Sequence, residues 1–164
     1  MDNHFFKNNG PFRLRDILKD LSLKNIDKNL DYDVVDIKDL QNSKSNEITF
    51  FHSKKYKEIA NKTKASFCLT TKNLENELPT QCIPIIVNNV LVSTSIVTSK
   101  FYPDAIEDDF DVTVDLINNT KFSDKVKFGR NVLIGKNVSI GSNCLIGHNT
   151  IIEKNVVIGN NCSI

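Results

Sequence analysis

Two aromatic residues six positions apart could hold a flat ring between them. Phe50 ends a predicted strand, Ser53 stands at a predicted helix N-cap, and Tyr56 follows in the first turn of that helix. Rings that face each other across such a strand-to-helix turn can stack on a nucleic-acid base. Three lysines crowd the helix start: Lys54, Lys55 and Lys57. Backbone N–H groups there already favour a phosphate, so the pattern is compatible with a nucleotide site. Alternatively, Phe50 is core, Tyr56 is half-buried surface, and the lysines only keep the protein soluble.

These residues lie in a region that reads as a small α/β domain, residues 1–103. Strands are predicted at 32–37, 47–51, 65–69 and 82–87, and helical segments around 14–21, 53–62 and 72–77. Asn88 is the expected N-cap of a further helix that runs towards Phe101. The next segment, 104–115, carries acidic side chains and no basic ones, and is predicted to be a solvated linker: Asp104, Glu107, Asp108, Asp109, Asp111 and Asp115.

The last third of the chain, residues 116–164, repeats every six residues. Eight hexads each open on a large apolar residue, and a ninth begins at Ile164: Leu116, Phe122, Phe128, Ile134, Ile140, Ile146, Ile152 and Ile158. A small or β-branched residue stands four places later: Thr120, Val126, Val132, Val138, Cys144, Thr150, Val156 and Cys162. This period is typical of a hexapeptide-repeat parallel β-helix, because an antiparallel sheet would not keep one register for so long.

The repeat predicts which residues face inward and which form the corners. Three hexads make one triangular coil, with the large and the small residue of each hexad pointing into it. Asparagine fills the fourth place of most hexads and glycine often the second: Asn119, Asn131, Asn137, Asn143, Asn149, Asn155 and Asn161; Gly129, Gly135, Gly141, Gly147 and Gly159. We expect both residue types to supply positive φ at the corners, and stacked asparagines to form ladders.

The spacing of the four cysteines indicates neither a metal site nor a disulfide. The cysteines Cys68, Cys82, Cys144 and Cys162 show no metal-ligand spacing, so no metal or cofactor is predicted. Cys144 and Cys162 should stack one coil apart on the same inner column, where a small packing residue is favoured over a disulfide.

Composition excludes several classes of protein. The net charge is +1, which gives no electrostatic reason to expect nucleic acid as a partner. No apolar run approaches the ~20 residues of a transmembrane helix. The N-terminus lacks the apolar centre of a signal peptide, which favours the cytoplasm.

Three segments, followed by the hexads, carry a resemblance to a known family: HFFKNNGPFRLRDI at 4–17, NEITFFHSKKYKEIANKTKASFCLTT at 46–71 and PIIVNNVLVSTSIVTSKFYP at 84–103. They resemble the UDP-3-O-acylglucosamine N-acyltransferases of lipid A biosynthesis, in their alphaproteobacterial form. The resemblance implies transfer of a 3-hydroxyacyl chain from acyl carrier protein to the amine of UDP-3-O-acylglucosamine. It also implies a homotrimer and a left-handed coil.

The resemblance assigns roles to the aromatic pair. The family grips uracil between a Phe and a Tyr, which fall on Phe50 and Tyr56. An Asn usually reads the base edge between them, and Ser53 stands in its place. A hydroxyl is shorter than an amide and cannot donate and accept in the same bidentate way.

The family's catalytic histidine does not carry over. That general base lies in a later coil in an A-H-N context, and this sequence stops one residue into a hexad, after Ile164. We therefore expect a fragment that lacks the catalytic coils and is itself inactive. The histidines present are His4, His52 and His148. His148 lies in a G-H-N context, but in an early coil and at an outward-facing third place.

Three alternatives stay open at this point. A hexapeptide acetyltransferase acting on a nucleotide sugar would share the coil and use acetyl-CoA. A non-catalytic scaffold or nucleotide-binding remnant would keep the fold without turnover. A carbonic-anhydrase-like protein would need three histidines around a metal, and the repeats contain one histidine.

Overall fold

The computed structural model describes residues 6–23, 31–105, 110–117, 122 and 125–164. The chain divides into two compact units, one formed by residues 7–107 and one that contains the hexads. Some sequence predictions fall outside the described residues: His4, Glu107, Asp108, Asp109, Asn119 and Thr120.

The first unit is built on a parallel sheet. Its strands are β1 Phe12–Arg13, β2 Asp33–Val34, β3 Asp36–Ile37, β4 Glu47–Phe51, β5 Phe67–Thr70 and β6 Ile83–Ile86. Strands β3, β4, β5 and β6 pair in that order, all parallel, while β1 and β2 form a separate antiparallel pair. The helices are α1 Leu14–Asp20, α2 Lys57–Ala60 and α3 Val90–Phe101, with 3-10 turns at Lys54–Tyr56, Glu75–Glu77 and Pro103–Ala105.

Strand alternation gives this unit two apolar clusters, one on each face of the sheet. Ile48 of β4 and Phe67 of β5 pack with residues of α1 and α3. Phe51 and Cys68, which follow on the same strands with the opposite orientation, pack with Ala60 of α2. The sheet is therefore covered on both faces, as parallel sheets usually are.

Several predicted boundaries in this unit need correction. The predicted strand 32–37 is two strands, because its backbone changes partner at Val35, from β1 to β4. The predicted helix 53–62 is a 3-10 turn followed by the four residues of α2, and 72–77 contains only a 3-10 turn. The cap of α3 is Asn89 rather than Asn88, since Asn89 Oδ1 accepts from Val92 N–H at 3.2 Å.

The second unit has short parallel strands that return every eighteen residues. Its strands are β7 Asp115–Leu116, β8 Lys127–Phe128, β9 Leu133–Ile134, β10 Ser139–Ile140, β11 Leu145–Ile146, β12 Ile151–Ile152 and β13 Val157–Ile158. β8 pairs with β11, β9 with β12 and β10 with β13, each parallel and in register. The second residue of each strand from β9 to β13 is buried in one shared core, so the predicted hexad register is confirmed over these residues.

The first hexad was wrongly assigned. β7 pairs with β9 in the antiparallel sense, and Leu116 is 54% exposed instead of pointing into the core. Among the described residues, parallel stacking begins with β8.

Asparagine and glycine have different tasks in the repeats. The asparagines at the fourth place of the hexads, from Asn131 to Asn161, hold φ between 57° and 64°. Three ladder bonds join residues one coil apart: Asn131 to Asn149, Asn137 to Asn155, and Asn143 to Asn161. None of the described glycines has positive φ, which corrects the expectation for them. A Cβ at Gly129 would lie 2.5 Å from His148 N, and one at Gly141 would lie 2.7 Å from Asn160 N. Glycine therefore permits close approach of the next coil.

The residue after each such glycine donates its backbone N–H to a side chain one coil later. Arg130 N–H donates to His148 Nδ1 at 2.7 Å, and Ser142 N–H donates to Asn160 Oδ1 at 2.8 Å. Such bonds satisfy corner N–H groups that strand pairing leaves free.

On the third corner the acceptors come from outside the coils. The residue that corresponds to His148 and Asn160 there is Lys154, whose ammonium cannot accept a hydrogen bond. Instead, Thr113 Oγ1 accepts from Lys136 N–H at 2.9 Å, and Asp111 Oδ2 accepts from Lys154 N–H at 2.6 Å. Asp111 is 7% exposed, so the prediction of a solvated acidic linker is wrong for this residue.

Cys144 and Cys162 stack as predicted. Both are free thiols, and Cys162 N–H lies 3.4 Å from Cys144 Sγ. Across the described residues, no helix is long and apolar enough to cross a membrane, and no group of three or more potential metal ligands is found.

Candidate functional site

A cavity of about 380 Å³ opens at one end of the parallel sheet. Its lining comes from the turn after β3, from the end of β4 and from the segment after β4: Asp39, Leu40, Gln41, Phe50, His52, Tyr56 and Ile59. Carboxyl ends of neighbouring parallel strands meet at the same edge of a sheet, where ligands of α/β proteins usually bind. Pairing of β3 with β4 therefore brings the 39–41 turn beside the 52–59 segment.

Both predicted aromatic residues line this cavity. Phe50 lies near the end of β4, partly buried and packed against the larger apolar cluster of its unit. Tyr56 closes the 3-10 turn and is 37% exposed. Its ring neighbour is His52, with centroids 5.6 Å apart and planes inclined by 48°. Phe50 is held by its packing against the apolar cluster, and Tyr56 is partly exposed to solvent. Because both rings line the cavity, both can contact a planar ligand there.

Ser53 serves the turn rather than the cavity. It is the N-cap of the 3-10 turn, and its Oγ accepts from Lys55 N–H at 3.4 Å. Ser53 is not among the residues that line the cavity. The capping role predicted from the sequence is confirmed.

Of the three lysines at this turn, one is engaged in an ion pair and two are exposed and could contact a phosphate. Lys57 Nζ forms an ion pair with Glu77 Oε2 at 2.9 Å, while Lys54 and Lys55 are exposed. The helix that follows is only four residues long, so its dipole adds little for a phosphate.

Sequence reasoning missed the polar residues contributed by the 39–42 turn. Asp39 Oδ1 accepts from Gln41 N–H at 2.8 Å and from Asn42 N–H at 3.0 Å, and Asn42 Nδ2 donates to Asp39 Oδ2 at 2.7 Å. The hydrogen bond from the Asn42 side chain is the main reason that the pKa of Asp39 lies below its usual value. An Asp-x-x-Asn turn was readable in the sequence, but its distance from Phe50 depends on strand order.

His148 has a structural role. It is exposed, as its third place in the hexad predicts, and its Nδ1 accepts the Arg130 N–H described above. An imidazole nitrogen that accepts a backbone hydrogen bond is occupied and cannot take a substrate proton there.

Two family models match this chain, one within each of its two units. Residues 137–164 match the family model described as Bacterial transferase hexapeptide (six repeats). Residues 31–99, which include the whole cavity lining, match the model described as LpxD, UDP-3-O-(3-hydroxymyristoyl) glucosamine N-acyltransferase.

Curated relatives agree with that match. The chain is 32% identical over 105 residues to the UDP-3-O-acylglucosamine N-acyltransferase of Rickettsia prowazekii (strain Madrid E), and 31% identical over 105 residues to that of Rickettsia typhi (strain ATCC VR-144 / Wilmington). It is 32% identical over 104 residues to that of Rickettsia akari (strain Hartford). Each alignment covers 62% of this chain and 30% of the relative. The resemblance to this family that was recognised in the sequence is confirmed.

Proposed function

We propose that this chain forms part of a UDP-3-O-acylglucosamine N-acyltransferase and that its α/β unit binds the uridine end of the nucleotide-sugar acceptor. The observation that carries the proposal is the cavity at the end of β3 and β4. It lies inside the segment matched by the acyltransferase family model, and Phe50 and Tyr56 both line it. This match also favours the acyltransferase over an acetyltransferase acting on a nucleotide sugar.

The proposed binding mode follows from the two rings. Uracil stacks between Phe50 and Tyr56, and each base–aromatic stack contributes about 1–3 kcal/mol. Binding energy from this end of the acceptor, remote from the amine, would help to position the amine for attack.

The remaining parts of the proposal come from the family. The 3-hydroxyacyl donor is acyl carrier protein, the complete enzyme is a cytoplasmic homotrimer, and the coil is left-handed. A general base must take the proton from the glucosamine nitrogen as it attacks the thioester. His148, the histidine of the repeats in this sequence, already accepts a hydrogen bond from Arg130 N–H, so we do not assign the role of base to His148.

Calorimetric titration of UDP-N-acetylglucosamine into the 1–164 chain tests the binding proposal. Tyr56→Ala should lower the affinity by about 1–3 kcal/mol, because it removes one stacking ring. Tyr32→Ala is the matched control, since Tyr32 packs on Phe67 and does not line the cavity. Equal affinity in wild type and Tyr56→Ala would rule out the stacked mode.

Acyl transfer itself is tested with acyl carrier protein as the donor and UDP-3-O-acylglucosamine as the acceptor. We expect no turnover by the 1–164 chain, with or without His148→Ala. Turnover that disappears in His148→Ala would overturn this assignment and make His148 the base.

A further inference from the structure

The cavity raises the question of which group reads the edge of the base. A pyrimidine presents both a hydrogen-bond donor and acceptors at its Watson–Crick edge, so a complementary protein group must both accept and donate. Ser53, the residue at the family's reading position, caps Lys55 N–H and does not line the cavity. Another side chain must therefore fill this role.

Asp39 is unsuited to the task. Its carboxylate already accepts hydrogen bonds from Gln41 N–H, Asn42 N–H and the Asn42 side chain. Those bonds favour its charged form, which has no proton to donate to a carbonyl oxygen of the base. A negative charge at this end of the cavity also disfavours the diphosphate here, so the base is expected on this side.

Gln41 has the chemistry that the base edge needs. It lines the cavity, and within the part of the chain that the structure describes its side-chain amide makes no hydrogen bond. Its backbone is held by the bond from Gln41 N–H to Asp39 Oδ1 at 2.8 Å, so the amide projects from a fixed turn. A primary amide offers a donor and an acceptor in one plane, the pairing that the Ser53 hydroxyl cannot provide.

We propose that Gln41 is the specificity residue of this site: its amide oxygen accepts from N3–H of uracil and its amide nitrogen donates to a ring carbonyl. The inference rests on the proposed uridine site and adds a residue from the β3 turn to the two stacking rings. In this chain, the residue that recognises the base edge therefore lies in the turn after β3 and not at the N-cap after β4, which is the position used in the family.

The test compares UDP with N3-methyl-UDP, which keeps the stacking surface and lacks the N3–H donor. Affinities are measured by calorimetry for wild type, Gln41→Leu and, as a matched control, Gln81→Leu, an exposed glutamine away from the cavity. Wild type and Gln81→Leu should bind UDP roughly 3–10-fold more tightly than N3-methyl-UDP, the range expected for one net hydrogen bond. Gln41→Leu should bind both ligands equally, with an affinity near that of wild type for N3-methyl-UDP.

The outcomes separate this inference from the proposed function. If wild type binds UDP and Tyr56→Ala weakens it, but Gln41→Leu still discriminates against N3-methyl-UDP, the uridine site stands and the role of Gln41 is wrong. His52, whose imidazole also lines the cavity, would then be the next residue to test as the reader. If wild type does not bind UDP, the proposed function fails and this inference fails with it. Gln41→Glu keeps the shape and loses the donor, and it should also bind UDP more weakly than wild type.

Discussion

The two units of this protein specify their structures in different ways. In the repeat unit, one environment recurs every eighteen residues, so Ile134 and Ile152 occupy equivalent, paired positions. In the α/β unit no environment recurs, and the cavity combines a turn after β3 with one ring from the end of β4 and another from the segment after it. A position in the hexad therefore indicates a residue's role in the repeats, whereas a role in the cavity depends on strand order.

Exceptions to the repeat occur where a third-place residue lacks a hydrogen-bond acceptor. Where the third-place residue carries an acceptor, as His148 and Asn160 do, the corner is satisfied by the coils themselves. Where it is Lys154, the segment at 111–113 supplies the acceptors instead. Departures from the pattern thus mark places where another part of the chain is needed.

The largest effect is expected from Ile146→Ala, because Ile146 is fully buried in the middle of the repeat core. Loss of the side chain leaves a cavity between coils and should lower the free energy of unfolding by about 2–5 kcal/mol. Ile151→Ala is the control in the neighbouring strand. Ile151 is 61% exposed, and its loss should change stability by no more than about 0.5 kcal/mol.

Urea unfolding can follow the two units separately. The chain has no tryptophan, and its tyrosines, Tyr32, Tyr56 and Tyr102, all lie in the α/β unit. Tyrosine fluorescence therefore reports that unit, and far-UV circular dichroism reports both. Equal losses for Ile146→Ala and Ile151→Ala would contradict the hexad register.

Gly135→Ala should have the next largest effect. A Cβ there would collide with the Lys154 backbone nitrogen and the Asp111 carboxylate, so the next coil would have to shift. Overpacking of this kind costs about 1–3 kcal/mol. At Gly159 the same substitution meets nothing within 4 Å and should be close to neutral. If the two substitutions have the same effect in a thermal melt, close approach is not what these glycines provide.

Asp111→Asn should have a smaller effect, with a pH dependence. Desolvation by burial opposes the charged form of Asp111, but hydrogen bonds from Thr113 and from Lys154 N–H together outweigh it and hold the pKa of Asp111 below its usual value. The charged form is thus favoured in the folded state, so its stabilisation is full above the unfolded pKa of about 3.9 and is lost as pH falls through the lower folded pKa. Asp111→Asn should cost about 1 kcal/mol at neutral pH and remove this acid-dependent loss.

Asp104→Asn is the control for that measurement, because Asp104 belongs to the same acidic run but is exposed. Unfolding is followed by circular dichroism from pH 7 to the acid limit of the fold. An Asp111→Asn protein with the same acid dependence as wild type would show that the carboxylate does not hold the corner.

Much of the fold of the repeat unit could be predicted because the same six-residue pattern occurs many times in one register. The inward isoleucines, the asparagine corners and the stacked cysteines all follow from one period. β7 and Asp111 could not be predicted, because an antiparallel pairing and a corner acceptor from outside the coils leave no periodic trace. The glycines were misinterpreted because close approach and positive φ favour the same residue type.

The candidate site was only partly predictable. Phe50 and Tyr56 stand on one short segment, so their spacing was visible in the sequence. Asp39 and Gln41 join them only because β3 lies beside β4, and the sequence predicted a strand at 32–37 but not which strand it pairs with. Their part in the cavity required the structure.

The central proposal is that uracil stacks between Phe50 and Tyr56. It is tested most directly by nuclear magnetic resonance of the 1–164 chain with UDP. We predict nuclear Overhauser effects from H5 and H6 of uracil to the rings of both Phe50 and Tyr56, with upfield ring-current shifts of the uracil protons. Bound UDP that shows contacts to neither ring, or contacts only to residues of the repeats, would contradict the account.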